Sequence, residues 1–253
     1  MTEPTETAYF PDVRKVGMRA PFAGLRAAVE DMRGAPLPSL AYGAVLAAMG
    51  ALLVNFSGHG ALQLGLLTGF LLLGPFLCIG LYDISRRRQR GERVSLRPTL
   101  SAWRHNLGSI SFYAVVLALL FAVWIRVSVV MVALFFTGGM PQMQTIVADV
   151  LASPDGRYFV AAYAAAGLGF ALLVFATSVV SLPMLLDREQ SDTVSAMITS
   201  VRAMLINFPP LLLWAALIAL LTVLGFASWY AGLAIAIPLI GHASWHAYRD
   251  LVS

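Results

Sequence analysis

The chain has 253 residues, of which 59% are apolar and 12% charged, with a formal net charge of +4, a pI of about 9.5 and a mean hydropathy of +0.78. A soluble domain carries roughly 25% charged residues, so this balance excludes a water-soluble globule and specifies an integral membrane protein. The arginines lie between apolar segments rather than on one folded basic face, which points away from nucleic acid and towards the membrane itself.

Met1–Gly34 is polar and the first apolar run starts far from the first residue, so no cleavable signal is expected. Residues 1–21 read as a cytoplasmic tail and residues 22–253 as a single membrane domain. Phe22–Arg33 is an amphipathic stretch, followed by apolar runs at Pro38–Phe56 and Ala61–Leu81, which are joined only by Ser57, Gly58, His59 and Gly60. Each run approaches the roughly 20 residues that cross a bilayer, so the two form a tight hairpin. Gly65 and Gly69 permit close helix packing, Pro75 breaks a backbone bond in the second run, and the single cysteine, Cys78, is a small buried filler.

Arg86, Arg87, Arg88, Arg90 and Arg93 follow directly. Such a cluster is retained on the cytoplasmic side, where the anionic leaflet and the membrane potential favour it. A short amphipathic stretch, Pro98–Leu107, leads into the third span, Ser109–Phe136, in which Arg126 is the one ionisable side chain well inside a span. A charge there is costly and is a functional candidate, although beside Trp124 it can also snorkel to the outer interface. In Thr137–Arg157, the spacing of Met143, Ile146, Val147, Val150 and Leu151 predicts a helix on the outer surface.

The fourth span is Phe159–Leu182, with Pro183 at its end and Gly167, Gly169 and neighbouring alanines as a packing surface. Thr193–Asn207 is the third amphipathic stretch, and the fifth and sixth spans, Pro209–Phe226 and Trp229–Trp245, form another hairpin through Ala227 and Ser228, with Pro238 inside the sixth. Counted by side, Arg14, Lys15, Arg19, Arg26, Arg33, the cluster Arg86 to Arg104, Arg188, Arg202 and Arg249 share one face, whereas Arg157 stands alone on the other. This places both termini in the cytoplasm.

The expected fold is therefore all-α: a polytopic protein with six transmembrane helices as three hairpins, each preceded by a cytoplasmic interfacial helix, in units of about 22–84, 98–188 and 193–250. Each inward span ends in an acid and arginine grouping: Asp83 with Arg86, Asp187 with Arg188, and Arg249 with Asp250. Tyr42, Tyr113 and Trp214 stand where outward spans begin and read as interface anchors. His242 and His246, four apart on one helical face, are weak candidates for a metal or haem; as partners of the interfacial helices they have a plainer role. No phosphate loop, metalloprotease pattern or nucleophile setting is present, so no enzyme activity and no cofactor is expected.

The stretches Leu73–Pro75, Ile79–Arg87 (IGLYDISRR), Ser181–Arg188 (SLPMLLDR), Thr199–Asn207 (TSVRAMLIN) and Pro238–Val252 (PLIGHASWHAYRDLV) resemble DUF2189, a bacterial family of integral membrane proteins of unknown function. The resemblance implies a six-helix membrane protein but no activity. Members are often labelled cytochrome c oxidase subunit I, a larger bundle with histidines on several spans; here His59 is in an outer turn, His105 on an interfacial stretch, and only His242 and His246 are near a helix. The residues thus favour an accessory or structural component of the bacterial inner membrane, its partners an anionic leaflet and a membrane protein. The alternatives are a small-solute transporter or channel using Arg126 and the kinked spans, and, below it, a haem- or metal-linked respiratory component through His242 and His246.

Overall fold

A computed structural model describes residues 11–55, 60–136 and 154–252. The expected turn around His59 and the expected outer helix around Met143–Leu151 lie outside the described residues. The described chain is built from helices: α1 (Ala20–Gly34), α2 (Pro36–Asn55), α3 (Gly60–Leu72), α4 (Gly74–Leu77), α5 (Ile79–Gln89), α6 (Leu96–Leu100), a 3₁₀ turn (Ala102–Asn106), α7 (Leu107–Phe135), α8 (Pro154–Ser178), α9 (Ser181–Asp187), α10 (Thr193–Ile206), α11 (Phe208–Ala227) and α12 (Leu233–Leu251). An isolated antiparallel bridge pairs Val13 with Val252.

Four stretches are long and apolar enough to cross a membrane: Pro36–Leu53, Ala102–Phe135, Gly156–Asp187 and Phe208–Ala227. The second and sixth expected spans differ from these for visible reasons. Pro75 lies in α4, and the helix is interrupted on either side of it, at Leu73 and Cys78, so this run is three consecutive pieces. In α12, Pro238 is accommodated within a continuous helix, but His242, Ser244, His246, Arg249 and Asp250 make its second half polar. The stretch expected as one interfacial helix at Pro98–Leu107 is split into α6 and the 3₁₀ turn.

Two compact units are formed. The first comprises residues up to Ala47, Pro75–Tyr113 and the chain from Phe175 onward. Within it α1 lies along α12, and α5 also packs on α12. Helices approach through glycine: a Cβ on Gly43 would stand 2.1 Å from the Ala234 carbonyl oxygen, and one on Gly241 2.6 Å from the Leu81 side chain. Tyr113 and Trp214, expected as interface anchors, are instead almost fully buried here, and the Tyr42 hydroxyl donates to Thr99 at 3.3 Å. Their apolar rings fill space beside small residues such as Gly80, whose absent side chain makes room for the Tyr42 ring.

Helix α10 buries its small and polar residues, Ser195, Ala196, Thr199, Ser200 and Ala203, and exposes Val194, Ile198, Val201 and Leu205. Asp192 caps its start, accepting from the Ser195 amide at 2.9 Å, and the hydrogen bonds from Ser195 hold this carboxylate below its ordinary pKa. On the buried face, Ser200 Oγ donates to the Ala176 carbonyl at 2.7 Å and accepts from the Val180 amide at 3.1 Å. Those are backbone groups at the break between α8 and α9, and a buried break needs such partners. Replacing Ser200 by alanine is expected to cost roughly 1–3 kcal/mol by leaving both groups unsatisfied, measurable as a lower midpoint of unfolding in detergent.

The second unit comprises Ala48–Gly74 and Ala114–Val174. Gly65 and Gly69 of α3 do meet α7, against Ser128 and Phe121 respectively. On α8, Gly167 faces the Trp124 ring but Gly169 faces open space, so only one of the two serves packing. A hydroxyl ladder joins the helices: Trp124 Nε1 donates to Thr68 Oγ1 at 2.9 Å, Thr68 donates to the Leu64 carbonyl at 2.7 Å, and the Tyr163 hydroxyl lies 3.0 Å from both Thr68 and Ser128. Beside it is a cavity of about 260 Å³, lined by aromatic Trp124, Tyr163 and Phe170 and by small Ala164, Gly167 and Ala171.

Candidate functional site

The charged run that begins at α5 is where the ionisable residues of the first unit converge. Helix α5 starts apolar, with Ile79, Leu81, Tyr82 and Ile84 buried, so its following turns carry Asp83, Ser85 and Arg86 into the same interior. Asp83 is fully buried. Its Oδ1 accepts from Arg86 Nε at 3.1 Å and Nη2 at 2.8 Å, and its Oδ2 accepts from Arg87 Nε at 2.7 Å. The third donor of Arg86, Nη1, reaches the Leu186 carbonyl at 2.7 Å. That carbonyl belongs to the last turn of α9, where backbone acceptors are unpaired and a cation is favoured.

The next arginines serve other acids. Arg88 Nε donates to Asp31 Oδ1 at 2.9 Å, tying α5 to α1, and Arg90 Nη2 donates to Asp187 Oδ1 at 3.1 Å, tying it to the end of α9. Both acids also receive α12. His246 Nε2 donates to Asp31 Oδ2 at 2.8 Å, while Tyr248 and Arg249 Nη1 each donate to Asp187 Oδ2 at 3.1 Å. The local groupings expected from sequence are therefore partly redrawn. Asp83 does pair with Arg86, but Asp187 pairs with Arg90 and Arg249; Arg188 acts on the Tyr248 hydroxyl, whose pKa rises to about 12 through burial and the Asp187 charge. Asp250 is raised by burial, offset in part by His246 and Arg14, and lines a small cavity with Trp214 and Pro21.

The two histidines have separate tasks. Ser39 Oγ gives its proton to the Ala35 carbonyl at 2.8 Å, so it accepts from His242 Nε2 at 2.9 Å, while Nδ1 of the same ring meets Ser85 Oγ at 2.8 Å. Around His246 the donors run in one direction: Trp245 Nε1 to Gln89 Oε1 at 3.0 Å, Gln89 Nε2 to His246 Nδ1 at 3.3 Å, then His246 to Asp31. Among the described residues no three His, Cys, Asp or Glu side chains converge as metal ligands. Both nitrogens of each ring are already engaged by protein groups. Arg126 is exposed on α7, pointing away from the buried Trp124 and Ser128, and is not part of the network.

Burial raises the Asp31 pKa, but the hydrogen bonds from His246 and Arg88 and the His246 charge help outweigh it and leave this carboxyl below its ordinary value of 3.8. Its unfolded form therefore takes up a proton first. The stabilisation is complete above the unfolded carboxylate pKa and is lost as pH falls through the lower folded value. Asp31→Asn is expected to flatten the acid limb of a melting temperature against pH profile, relative to the parent protein.

Sequence reasoning missed Asp31, Ser39, Ser85 and Gln89, and also Asn207. The Asn207 side chain accepts from the Val16 amide at 2.8 Å and donates to the Arg14 carbonyl at 2.9 Å, strapping the N-terminal segment in place. A polar residue inside an otherwise apolar stretch was the available signal for Ser39 and Asn207, whereas Asp31, Ser85 and Gln89 stand among other charged residues that hid them.

With the geometry in view, the comparisons with known proteins add one finding. The family described as predicted integral membrane protein (DUF2189) matches residues 62–187, a stretch that contains Asp83, the arginine run and Asp187. No curated protein and no solved structure matches the chain.

Proposed function

We propose that this chain, an integral membrane protein whose residues 62–187 belong to that family of unknown function, is a non-enzymatic accessory or structural component of a bacterial inner membrane. In this reading the second of six spans is Ala61–Leu81, made of α3, α4 and the first residues of α5, and the sixth is Trp229–Trp245, which takes in the first part of α12, so that the charged ends of α5 and α12 lie outside the bilayer. The spans form three hairpins, each led by an element lying in the cytoplasmic interface: α1, then α6 with the 3₁₀ turn, then α10. Both termini are cytoplasmic.

One observation carries the reading. The acids of the first unit, buried Asp31 and Asp83 and half-buried Asp187, are each occupied by arginine or histidine, Asp83 from its own helix and the other two from neighbouring segments, so the conspicuous charges of this region hold helix ends together rather than face a substrate. What surrounds them on the outside is apolar and cationic: Phe22, Leu100, Trp103, Val194, Ile198 and Leu205 are exposed, with arginines between them. Such faces suit a bilayer interface or a membrane partner.

Mild-detergent purification of the tagged chain from its native membrane, followed by quantitative mass spectrometry, tests the role; a stoichiometric partner supports it, and recovery of this chain alone overturns it. Orientation is tested separately. Cys78 is buried, so single introduced cysteines report cleanly with a membrane-impermeant maleimide. Trp229→Cys is expected to label in intact cells and Arg93→Cys only after permeabilisation; the reverse pattern inverts the topology.

A further inference from the structure

The residues between the arginine run and α7 form a surface of their own. From Arg93 to Leu107 the sequence contains Arg93, Arg97 and Arg104 and no acid. Glu92, just before the segment, pairs with Arg87 at 3.3 Å, and Glu189 stands 3.7 Å from His105 within the segment rather than beside one of its arginines. All three arginines are exposed. Four large apolar side chains are exposed with them, Leu96 at 37%, Leu100 at 57%, Trp103 at 38% and Leu107 at 50%, spaced four, three and four apart as on one side of a helical path.

The segment is held firmly while it presents these groups. Thr99 and Ala102 are buried against the first unit, Thr99 Oγ1 donates to the Leu96 carbonyl at 2.8 Å and receives the Tyr42 hydroxyl, and Trp103 Nε1 donates to the Leu100 carbonyl at 3.2 Å. The Arg104 guanidinium stands 5.3 Å from the Trp103 ring centroid. At Leu107 the segment passes directly into α7, which is long and apolar enough to cross a bilayer, so its depth is fixed at the level where a span begins.

We infer that Arg93–Leu107 is a binding site for anionic phospholipid headgroups, with Arg93, Arg97 and Arg104 meeting the phosphate and Leu96, Leu100, Trp103 and Leu107 seated among the first acyl methylenes. Cations over apolar anchors, with Glu189 placed at His105 rather than at an arginine of the segment, complement the charge of such a lipid, and each arginine near an anionic surface contributes about 1 kcal/mol, or about fivefold in occupancy. An acidic protein surface would satisfy the arginines but leave the four apolar side chains in water. The inference rests on the proposed placement of this end of α7 at the anionic leaflet.

The full chain carrying Trp229→Phe, which removes the other strongly exposed tryptophan, is reconstituted in vesicles of phosphatidylcholine with a minority of phosphatidylglycerol. Bromine is placed on the acyl chains of one lipid or the other, and Trp103→Phe supplies the subtraction. Trp103 emission is expected to be quenched severalfold more per brominated molecule when phosphatidylglycerol carries the bromine. That preference should fall by about fivefold in Arg97→Gln and again in Arg97→Gln/Arg104→Gln, with the melting temperature retained. Equal quenching by both lipids overturns the headgroup site while leaving the interfacial placement intact. Quenching by aqueous iodide and by neither lipid overturns the placement as well.

Discussion

Asp83→Ala is expected to destabilise the protein by about 3–5 kcal/mol, enough to abolish a monodisperse species in detergent at ordinary temperatures. Asp83 is completely buried and Arg86 nearly so, and removal of the carboxylate strands a guanidinium whose remaining contact is the Leu186 carbonyl. Arg87 loses its inward partner in the same step and keeps only Glu92, at the surface. The loss is mainly the cost of an uncompensated charge, so removing both partners should hurt less than removing one. Asp83→Leu/Arg86→Met is therefore expected to recover part of the stability lost in Asp83→Ala, read as the midpoint of thermal unfolding by size-exclusion profile. A double variant no better than the single one would mean that the Arg86 contact to α9 outweighs its pair with Asp83.

Gly43→Val should be similarly severe for a different reason. A Cβ at this position of α2 meets the Ala234 carbonyl oxygen at 2.1 Å, its carbon at 2.8 Å and Pro238 Cδ at 2.9 Å. Two of these atoms are backbone, and no rotamer change can move them; α2 and α12 must separate, at a cost of at least the roughly 1–3 kcal/mol typical of overpacking. Gly169→Ala is the contrasting case. Nothing lies within 4 Å of its Cβ, and the residue is inside α8, so alanine there is expected to gain about 1 kcal/mol of helix propensity. Parallel unfolding curves of the two variants in the same detergent would show the opposite shifts.

The helical class, the membrane assignment and most helix limits were legible from composition and apolar run length, because crossing a bilayer demands both. The pairing of Asp83 with Arg86 was legible too, since three residues apart on a helix are neighbours. The partners of Asp187 were not. Its sequence neighbour Arg188 acts on the Tyr248 hydroxyl, and the arginines that bind it, Arg90 just past α5 and Arg249 on α12, are brought there by tertiary packing. Tyr113 and Trp214 misled for a related reason: an aromatic residue at the start of a span reads the same whether it turns to the interface or to a neighbouring helix. Ser200 could not be recognised as a cap because the break it serves lies on another segment, 20 residues back at Val180.

The bond between His246 and Asp31 joins residues 215 apart, and that between Arg90 and Asp187 joins residues 97 apart. A ribosome delivers the chain from one end, so Asp31 emerges long before the side chain that completes its shell, and α1 must wait for α12 to be made. Until then Arg88 is its available cation, and the face of α1 that α12 covers has no native partner. The unit therefore closes late, on contacts of high sequence separation, and its assembly is slow relative to insertion of the individual helices. During that interval the nascent protein is a client for whatever chaperones or proteases patrol the membrane, and truncations that remove α12 should be cleared rather than accumulate as a partly built form.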